Sequence, residues 1–404
     1  MEAAAYVIAP MPTHELTSIE LFTGAGGLAL ATHKAGFHHV GLVEWNRDAC
    51  STLRENVAAR AIHGIGSWQI LESDVRTINF RDFGKVDLVA GGPPCQPFSI
   101  GGNHRGMNDE RNMFPEFIRA VRALAPKVFI IENVKGLTRQ AFHNYFESIV
   151  LQLTYPEMEP KRSESEAAHL DRLEETRTRG YYTGLQYNVV HRTLNAANYG
   201  VPQTRERVFI VGFRSDLKCE WHFPELTHSF DALLHEQWMT GEYWERHEIN
   251  KPSNTNDRLR ARVAKLHGAL LPLGTKPWRT IRDAIADLPE PLPERDVNQV
   301  PNHQLQLGAR LYPGHTGSPI DLPSKTLKAG DHGVPGGENT VVFPDGRVRY
   351  LTVRESARIQ TFPDTWRFRG SWTEAMRQLG NAVPVTLAQV VAESVEERLR
   401  RFHD

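Results

Sequence analysis

The chain has 404 residues, 40% of them apolar and 24% charged, with a net charge of -1. Such a length exceeds one ordinary hydrophobic core and implies two domains, the composition excludes a disordered chain, and no apolar run is long enough to span a bilayer. Three scattered cysteines, Cys50, Cys95 and Cys219, exclude a disulfide framework and a cysteine-based metal site, and point to reduced thiols in the cytoplasm.

The N-terminal MEAAAYVIAPMPTHELT has neither the basic region nor the apolar core of a signal peptide. Ser18 to Phe22 reads as a strand running into TGAGGLALATHKAGF, a glycine turn entering a helix. Gly24, Gly26 and Gly27 let the backbone turn sharply and approach a ligand, with the helix N-terminus near Leu28 offered to it. A second strand, His39 to Trp45, ends on Glu44, about twenty residues after the glycines, where nucleotide-binding folds place a carboxylate for ribose hydroxyls. Trp45 is placed either to stack on an adenine ring or to pack in a core. A helix over Asp48 to Arg60 follows, then a third strand ending near Asp74, which is also a candidate helix cap.

Asp87 to Ser99, DLVAGGPPCQPFS, brings a short apolar strand to a cysteine held between prolines. Pro93, Pro94 and Pro97 fix φ along that turn, so Cys95 sits in a stiff loop at a strand end, where ligands bind in open parallel sheets. A cysteine is otherwise commonly a small buried hydrophobe. The glycine-rich, charged stretch SIGGNHRGMNDERN reads as a mobile loop able to close over the site. A helix over Met113 to Ala125 leads to KVFIIENVKGL, a buried strand ending at Glu132 and Asn133 beside the cysteine strand. Pro156 to Gly180 is charge-rich, without a clear apolar stripe, and reads as a solvated helical insertion. Before the strong strand VFIVGF, Gln203, Arg205 and Arg207 alternate, which places them on one face; two guanidiniums there suit an anion or a carboxylate.

The regular α/β alternation predicts a doubly wound, mostly parallel sheet, and it stops after Phe213. From Arg246 to Arg282 nine Lys or Arg stand against two acids, with Trp278 interleaved, a composition suited to nucleic acid or to a solvated basic face. Leu322 to Asn339 is a glycine-rich loop region. Thr352 with Glu355 three positions on is a capping box before a short helix, and LGNAVPVTLAQVVAESVEERLRRF enters an amphipathic terminal helix.

A thiol on a stiff loop, a carboxylate on the next strand, paired arginines and a glycine turn suit attack on a weak electrophile such as C6 of a pyrimidine. These motifs resemble the DNA (cytosine-5) methyltransferases of the bacterial restriction-modification type, over nearly the whole chain. LFTGAGG is similar to the family's first motif, with Glu20 two residues before Phe22. GPPCQPFS is similar to the nucleophile loop, ENV to the acid motif, QTRER to the arginine motif, and RESARIQTFP and GNAVPVTLA to the last two.

The resemblance implies an S-adenosylmethionine-dependent, Rossmann-like catalytic domain over 1–214, completed by 371–404, and a smaller irregular target-recognition domain over 215–370. It implies Cys95 as nucleophile, Glu132 as acid and Arg207 holding base and acid, with Arg205 orienting them or touching backbone. For the cofactor it implies Phe22, Gly24, Gly26, Gly27, Glu44, Trp45, Asp74, Val75, Pro93, Asn381 and Val383. Duplex DNA is the expected substrate, met by Ser99, Arg205, Arg258, Arg260 and Arg279, with the target cytosine flipped out of the stack. A restriction endonuclease acting on the same site is the expected companion, and a monomer suffices. A tRNA cytosine methyltransferase and a catalytically silent DNA-binding protein share the expected fold. A nicotinamide-dependent oxidoreductase leaves Cys95, ENV and QTRER unexplained.

Overall fold

The computed structural model describes residues 15–94, 112–253, 255–266, 274–294, 300–311, 313, 316–329 and 339–402. Cys95, Ser99 and the loop expected to close over the site lie outside the described residues.

Among the described residues seven strands form one sheet: β1 (Leu16–Leu21), β2 (Phe37–Glu44), β3 (Ile70–Glu72), β4 (Leu88–Gly91), β5 (Val128–Val134), β6 (Tyr187–Asn195) and β7 (Glu206–Arg214), in the order β3-β2-β1-β4-β5-β7-β6. The first five run parallel, and β7 is antiparallel to both its neighbours. Alternation along β5 divides its side chains between two cores. Val128 and Ile130 join helices α1 (Gly27–Lys34) and α12 (Val385–Arg400) on one face. Phe129 and Ile131 join α3 (Phe114–Leu124) and α4 (His143–Thr154) on the other. A strand buried on both faces carries a continuous apolar run, which is why VFII was legible as a buried strand.

On the first face, buried His39 ties β2 to both neighbours: its Nδ1 lies 2.9 Å from the Ser18 hydroxyl and its Nε2 2.9 Å from the Ala29 carbonyl of α1. Helix α2 (Arg47–Ala58), capped by the Asn46 side chain, follows β2. Helix α5 (Glu166–Arg179) is the charged insertion. It is not fully solvated: Leu173 is buried against Leu151 and Tyr155 of the α4 end, and Ser165 and Gly180 cap it. A seam this narrow does not register as an apolar stripe in a sequence dominated by charge.

The second region holds short elements: α6 (Phe230–Leu234), α7 (Glu242–Arg246), α8 (Asp257–Leu266), α9 (Ile281–Ile285), the pair β8 (His228–Ser229) and β9 (Lys276–Pro277), and the sheet β10 (Ser318–Pro319), β11 (Thr340–Val342) and β12 (Val348–Tyr350). Its hydrophobic core is small, built from Ile281, Ile285, Ile320, Leu327, Val341 and Leu351 among others. A polar network supplements it. Arg282 grips Asp321 through two bonds of 2.6 and 3.1 Å, and the Tyr243 hydroxyl donates to the same carboxylate at 2.9 Å.

Helix α10 (Val353–Ile359) starts at the expected capping box of Thr352 and Glu355. Val353, Ala357, Phe362, Trp366 and Phe368 are buried with α1 and α12, and Trp366 Nε1 donates to the Ala25 carbonyl at 3.2 Å. Ile359 of α10 joins Ile281, Ile285 and Leu351 in the core of the irregular region, so this segment packs against both parts. Helix α11 (Trp372–Asn381) leads into α12. Among the described residues no helix is long and apolar enough to cross a membrane.

Candidate active site

The strand order reverses between β1 and β4, and the crevice outside the carboxyl ends of those strands is where an open α/β sheet binds ligands. The glycine turn leaves β1 there. Phe22, Gly24 and Gly26 take positive φ of 58°, 56° and 92°, a course that only glycine follows without steric cost at most positions. Glu44, at the end of the adjacent β2, holds the turn in place. One carboxylate oxygen accepts from Gly24 N at 2.7 Å and the other from Trp45 N at 3.0 Å and Asn46 N at 2.7 Å. Burial pushes the Glu44 carboxyl above its ordinary range, against the pull of those three N–H groups.

Gly27 has a different reason to lack a side chain: a Cβ there would collide with the Val383 carbonyl oxygen. The segment entering α12 thus lies directly on the turn, with Val383 buried and Asn381 exposed beside it. Asp74 caps a 3-10 turn (Val75–Thr77), accepting from Arg76 N at 2.9 Å, and its bonds to the Arg76 side chain hold its carboxyl low. Val75 behind it is buried.

Two observations fit an adenosine ligand at this crevice. The Trp45 indole, beside Glu44, is 74% exposed and uncovered, an unusual state for the largest apolar side chain. Buried Glu20, whose carboxyl accepts from Ala29 N, keeps a second oxygen with no hydrogen-bond partner among the described residues.

On the other side of β4, the strand closes tightly on β1, since a Cβ at Gly91 would lie 2.5 Å from the Leu21 carbonyl oxygen. The chain then passes Pro93, whose carbonyl accepts from Asn133 Nδ2 at 2.9 Å. Next to Asn133, Glu132 is 7% exposed, and its Oε1 lies 2.9 Å from Arg207 Nε. The antiparallel register permits this pairing, because Glu132 of β5 lies opposite Phe209, two positions along β7 from Arg207. Burial raises the Glu132 pKa, opposed by the charges of Arg207 and Arg205. The arrangement is a buried acid, biased toward keeping its proton and clamped by a guanidinium, next to Pro93, which the sequence places two residues before Cys95.

Arg205 does not reach solvent. Its guanidinium is fully buried and donates to the carbonyls of Leu327 at 3.0 Å, Gly380 at 2.7 Å and Ala382 at 3.0 Å. That corrects its assignment as a DNA contact or a base-handling group and leaves the backbone-orienting role. In the basic stretch, Arg258 and Arg260 are exposed on α8, with Arg260 3.3 Å from Asp257, and Arg279 is exposed with a bond to the Asp283 carbonyl. Part of the footprint is structural: Arg282 is bonded to Asp321, and Trp278 packs at a tilt against Phe230 and donates to Asn198 Oδ1 at 3.0 Å. The anchoring bond of Asn133 had no signal in the sequence, because its acceptor is a backbone atom 40 positions away.

A doubly wound sheet with a glycine turn at the switch point and a clamped acid two strands away defines the class of Rossmann-like methyltransferases. The profile of C-5 cytosine-specific DNA methylases matches residues 16–156 and 180–397. Among curated relatives, the chain is 33% identical over 392 residues to the type II methyltransferase M.PspPI of Psychrobacter sp., covering 95% of this chain and 80% of that one. It is 29% identical to M.NgoMIV of Neisseria gonorrhoeae, covering 96% and 99%. Among solved structures, a putative prophage DNA modification methyltransferase from E. coli aligns with TM-score 0.52 at 20% identity over 95% of this chain and 99% of that one. A mutant of Spodoptera frugiperda DNMT2 aligns with TM-score 0.54 at 17% identity over 96% and 100%. The chain belongs to the C-5 cytosine-specific DNA methylase family and is a DNA (cytosine-5) methyltransferase. The profile passes over residues 157–179, the stretch that builds α5.

Proposed function

We propose that this enzyme methylates C5 of a cytosine flipped out of duplex DNA, within one short recognition sequence, using S-adenosylmethionine, as the modification half of a type II restriction-modification pair. The observation that carries the reading is the buried Glu132–Arg207 pair on the strand that also anchors Pro93, two residues before Cys95. S-adenosylmethionine supplies the methyl group as an electrophilic sulfonium. Phe22, the glycines, Glu44, Trp45, Asp74, Val75, Pro93, Asn381 and Val383 are the residues proposed to hold it.

C5 of cytosine is unreactive until C6 is attacked. The Cys95 thiolate adds to C6 while Glu132 gives a proton to N3, so that the electron pair freed from the ring makes C5 nucleophilic. Arg207 holds Glu132 and the base together. After C5 is methylated, loss of its proton, return of the N3 proton to Glu132 and departure of the thiolate restore the aromatic ring. A thiolate must approach C6 from above the ring plane, which a stacked base forbids, so the target leaves the helix.

The catalytic unit is proposed to comprise 1–214, completed by 371–404, with 215–370 as the target-recognition part. The irregular region reads the DNA, with Arg258, Arg260, Arg279 and Ser99 at the duplex. One chain suffices for this reaction, in the cytoplasm, with an endonuclease of the same specificity as companion.

The test is to incubate the protein with S-adenosylmethionine and unmethylated DNA of mixed sequence and map 5-methylcytosine base by base. Methylation in one recurring context, abolished in Cys95→Ala with DNA binding retained, is the expected result. Methylation of tRNA alone, or binding without methylation in the unaltered enzyme, overturns the proposal.

A further inference from the structure

Where β7 begins, three buried polar side chains from distant parts of the sequence meet: Gln203, Arg205 and Gln360. Gln203 belongs to the segment that enters β7 and thereby delivers Arg207 to Glu132. Gln360 caps the C-terminus of α10. The Gln203 Nε2 donates to Gln360 Oε1 at 3.1 Å, and Gln203 Oε1 accepts from Leu327 N at 3.0 Å. The Gln360 Nε2 donates to Leu379 O at 2.5 Å and Ala382 O at 3.2 Å.

An amide has a donor end and an acceptor end, and here neither can be reversed alone. Leu327 N–H demands the oxygen of Gln203, which turns the Gln203 NH2 toward Gln360. Gln360 must answer with its own oxygen, which turns its NH2 onto the two carbonyls of the α12 approach. Flipping either amide would set donor against donor and oxygen against oxygen in a site closed to water, where an unmade bond costs most.

The two ends of this chain of amides lead to opposite sides of the proposed site. Leu327 continues into Lys328, whose N–H and carbonyl both pair with the buried Asn339 side chain at 3.1 Å at the base of the recognition region. Ala382 precedes Val383, which lies on Gly27 of the glycine turn. The two segments also touch directly, because a Cβ on Gly380 would collide with the backbone of Lys328 and Ala329. Neither segment can shift without the other.

We propose that Gln203 and Gln360 are positioning residues that set the DNA side and the methyl-donor side of the cleft as one unit, so that each amide governs affinity for the substrate it does not face. The inference rests on the two-substrate reading above. Among the described residues the Gln203 side chain bonds to the recognition-side segment, to Arg205 and to Gln360, yet its loss raises KM for S-adenosylmethionine. Gln360 bonds to the α12 approach, yet its loss raises KM for DNA.

The experiment compares the unaltered enzyme with Gln203→Met, Gln360→Met and the double variant, which keep side-chain length while removing the amide. KM for each substrate, kcat and thermal midpoint are measured, with calorimetric binding of S-adenosylhomocysteine alongside. The expected result is a crossed rise of about fivefold or more in the KM of the remote substrate for each single variant, with a double variant no worse than the poorer single. A rise confined to the near substrate, or a lowered midpoint with unchanged KM values, overturns the proposal. Where a Met variant does not fold, the Asn replacement, one methylene shorter and still polar, takes its place. Absence of S-adenosylhomocysteine binding in the unaltered enzyme would instead refute the two-substrate reading itself.

Discussion

Asn133 Nδ2 donates to the Pro93 carbonyl over 2.9 Å, so the strand that bears the acid also anchors the loop that bears the thiol. Asn133→Ala leaves that carbonyl unpaired and frees the loop base. The expected outcome is a fall in kcat of about 10²-fold with DNA affinity kept within a few-fold, since a reacting group displaced by about 1 Å loses that much. Steady-state methyl transfer and a filter-binding assay on the same variant check it.

Glu132→Gln removes the proton donor while keeping the shape, and a fall of roughly 10²- to 10⁴-fold in kcat is expected. The pH profile carries a sign. Burial raises the Glu132 pKa, so the protonated form needed for attack survives to higher pH than in a free carboxyl, and the rate declines as pH rises through that raised value. Arg207 pulls the pKa down, so Arg207→Met is expected to be slower overall yet to place its alkaline limb at higher pH. Single-turnover rates between pH 5 and 9 measure both.

His39 titrates in a stability experiment rather than a kinetic one. Burial, with the charges of His33 and His38, lowers its pKa from 6.5 to about 4. The unfolded chain therefore binds this proton first, and the stability held above pH 6.5 is lost as pH falls toward 4. Linkage puts the loss between pH 7 and pH 5 at about 2 kcal/mol. Urea unfolding at the two pH values is expected to show a clearly smaller difference in His39→Asn than in the unaltered protein.

Two arginines of the basic stretch are expected to part company. Arg258 is exposed on α8, and Arg258→Ala should weaken DNA binding at low salt and reduce the salt slope by about one, with the thermal midpoint unchanged. Arg282 is bonded to Asp321, and Arg282→Ala strands that carboxylate beside Tyr243. Its effect is a loss of stability of about 1–3 kcal/mol, read by earlier proteolysis of the irregular region.

What could be read from the chain beforehand follows from sequence separation. The apolar runs of β1, β2 and β5, the glycine turn and the capping box at Thr352 are local patterns, each set by residues within a few positions, and they appear where periodicity and turn chemistry put them. Glu44 was legible as an acid at a strand end, but its saturation by the Gly24, Trp45 and Asn46 amides was not, because that depends on how the turn folds back. Arg205 and Arg207 look alike in sequence, two positions apart before one strand. Arg205 is buried on three carbonyls brought in from Leu327, Gly380 and Ala382, while Arg207 meets Glu132 across the sheet. Basic composition overstated the DNA face for the same reason, since Asp321, which claims Arg282, is 39 residues away.

Helix α12 covers α1, joining two helices that lie far apart in the sequence. During synthesis the apolar side of α1, with Leu28 and Leu30, therefore lacks this cover until α12 has left the ribosome. Non-local closure of this kind slows folding and leaves a sticky nascent intermediate. A polypeptide cut short before α12 leaves that surface bare, so it is expected to aggregate rather than to act as a DNA-modifying fragment.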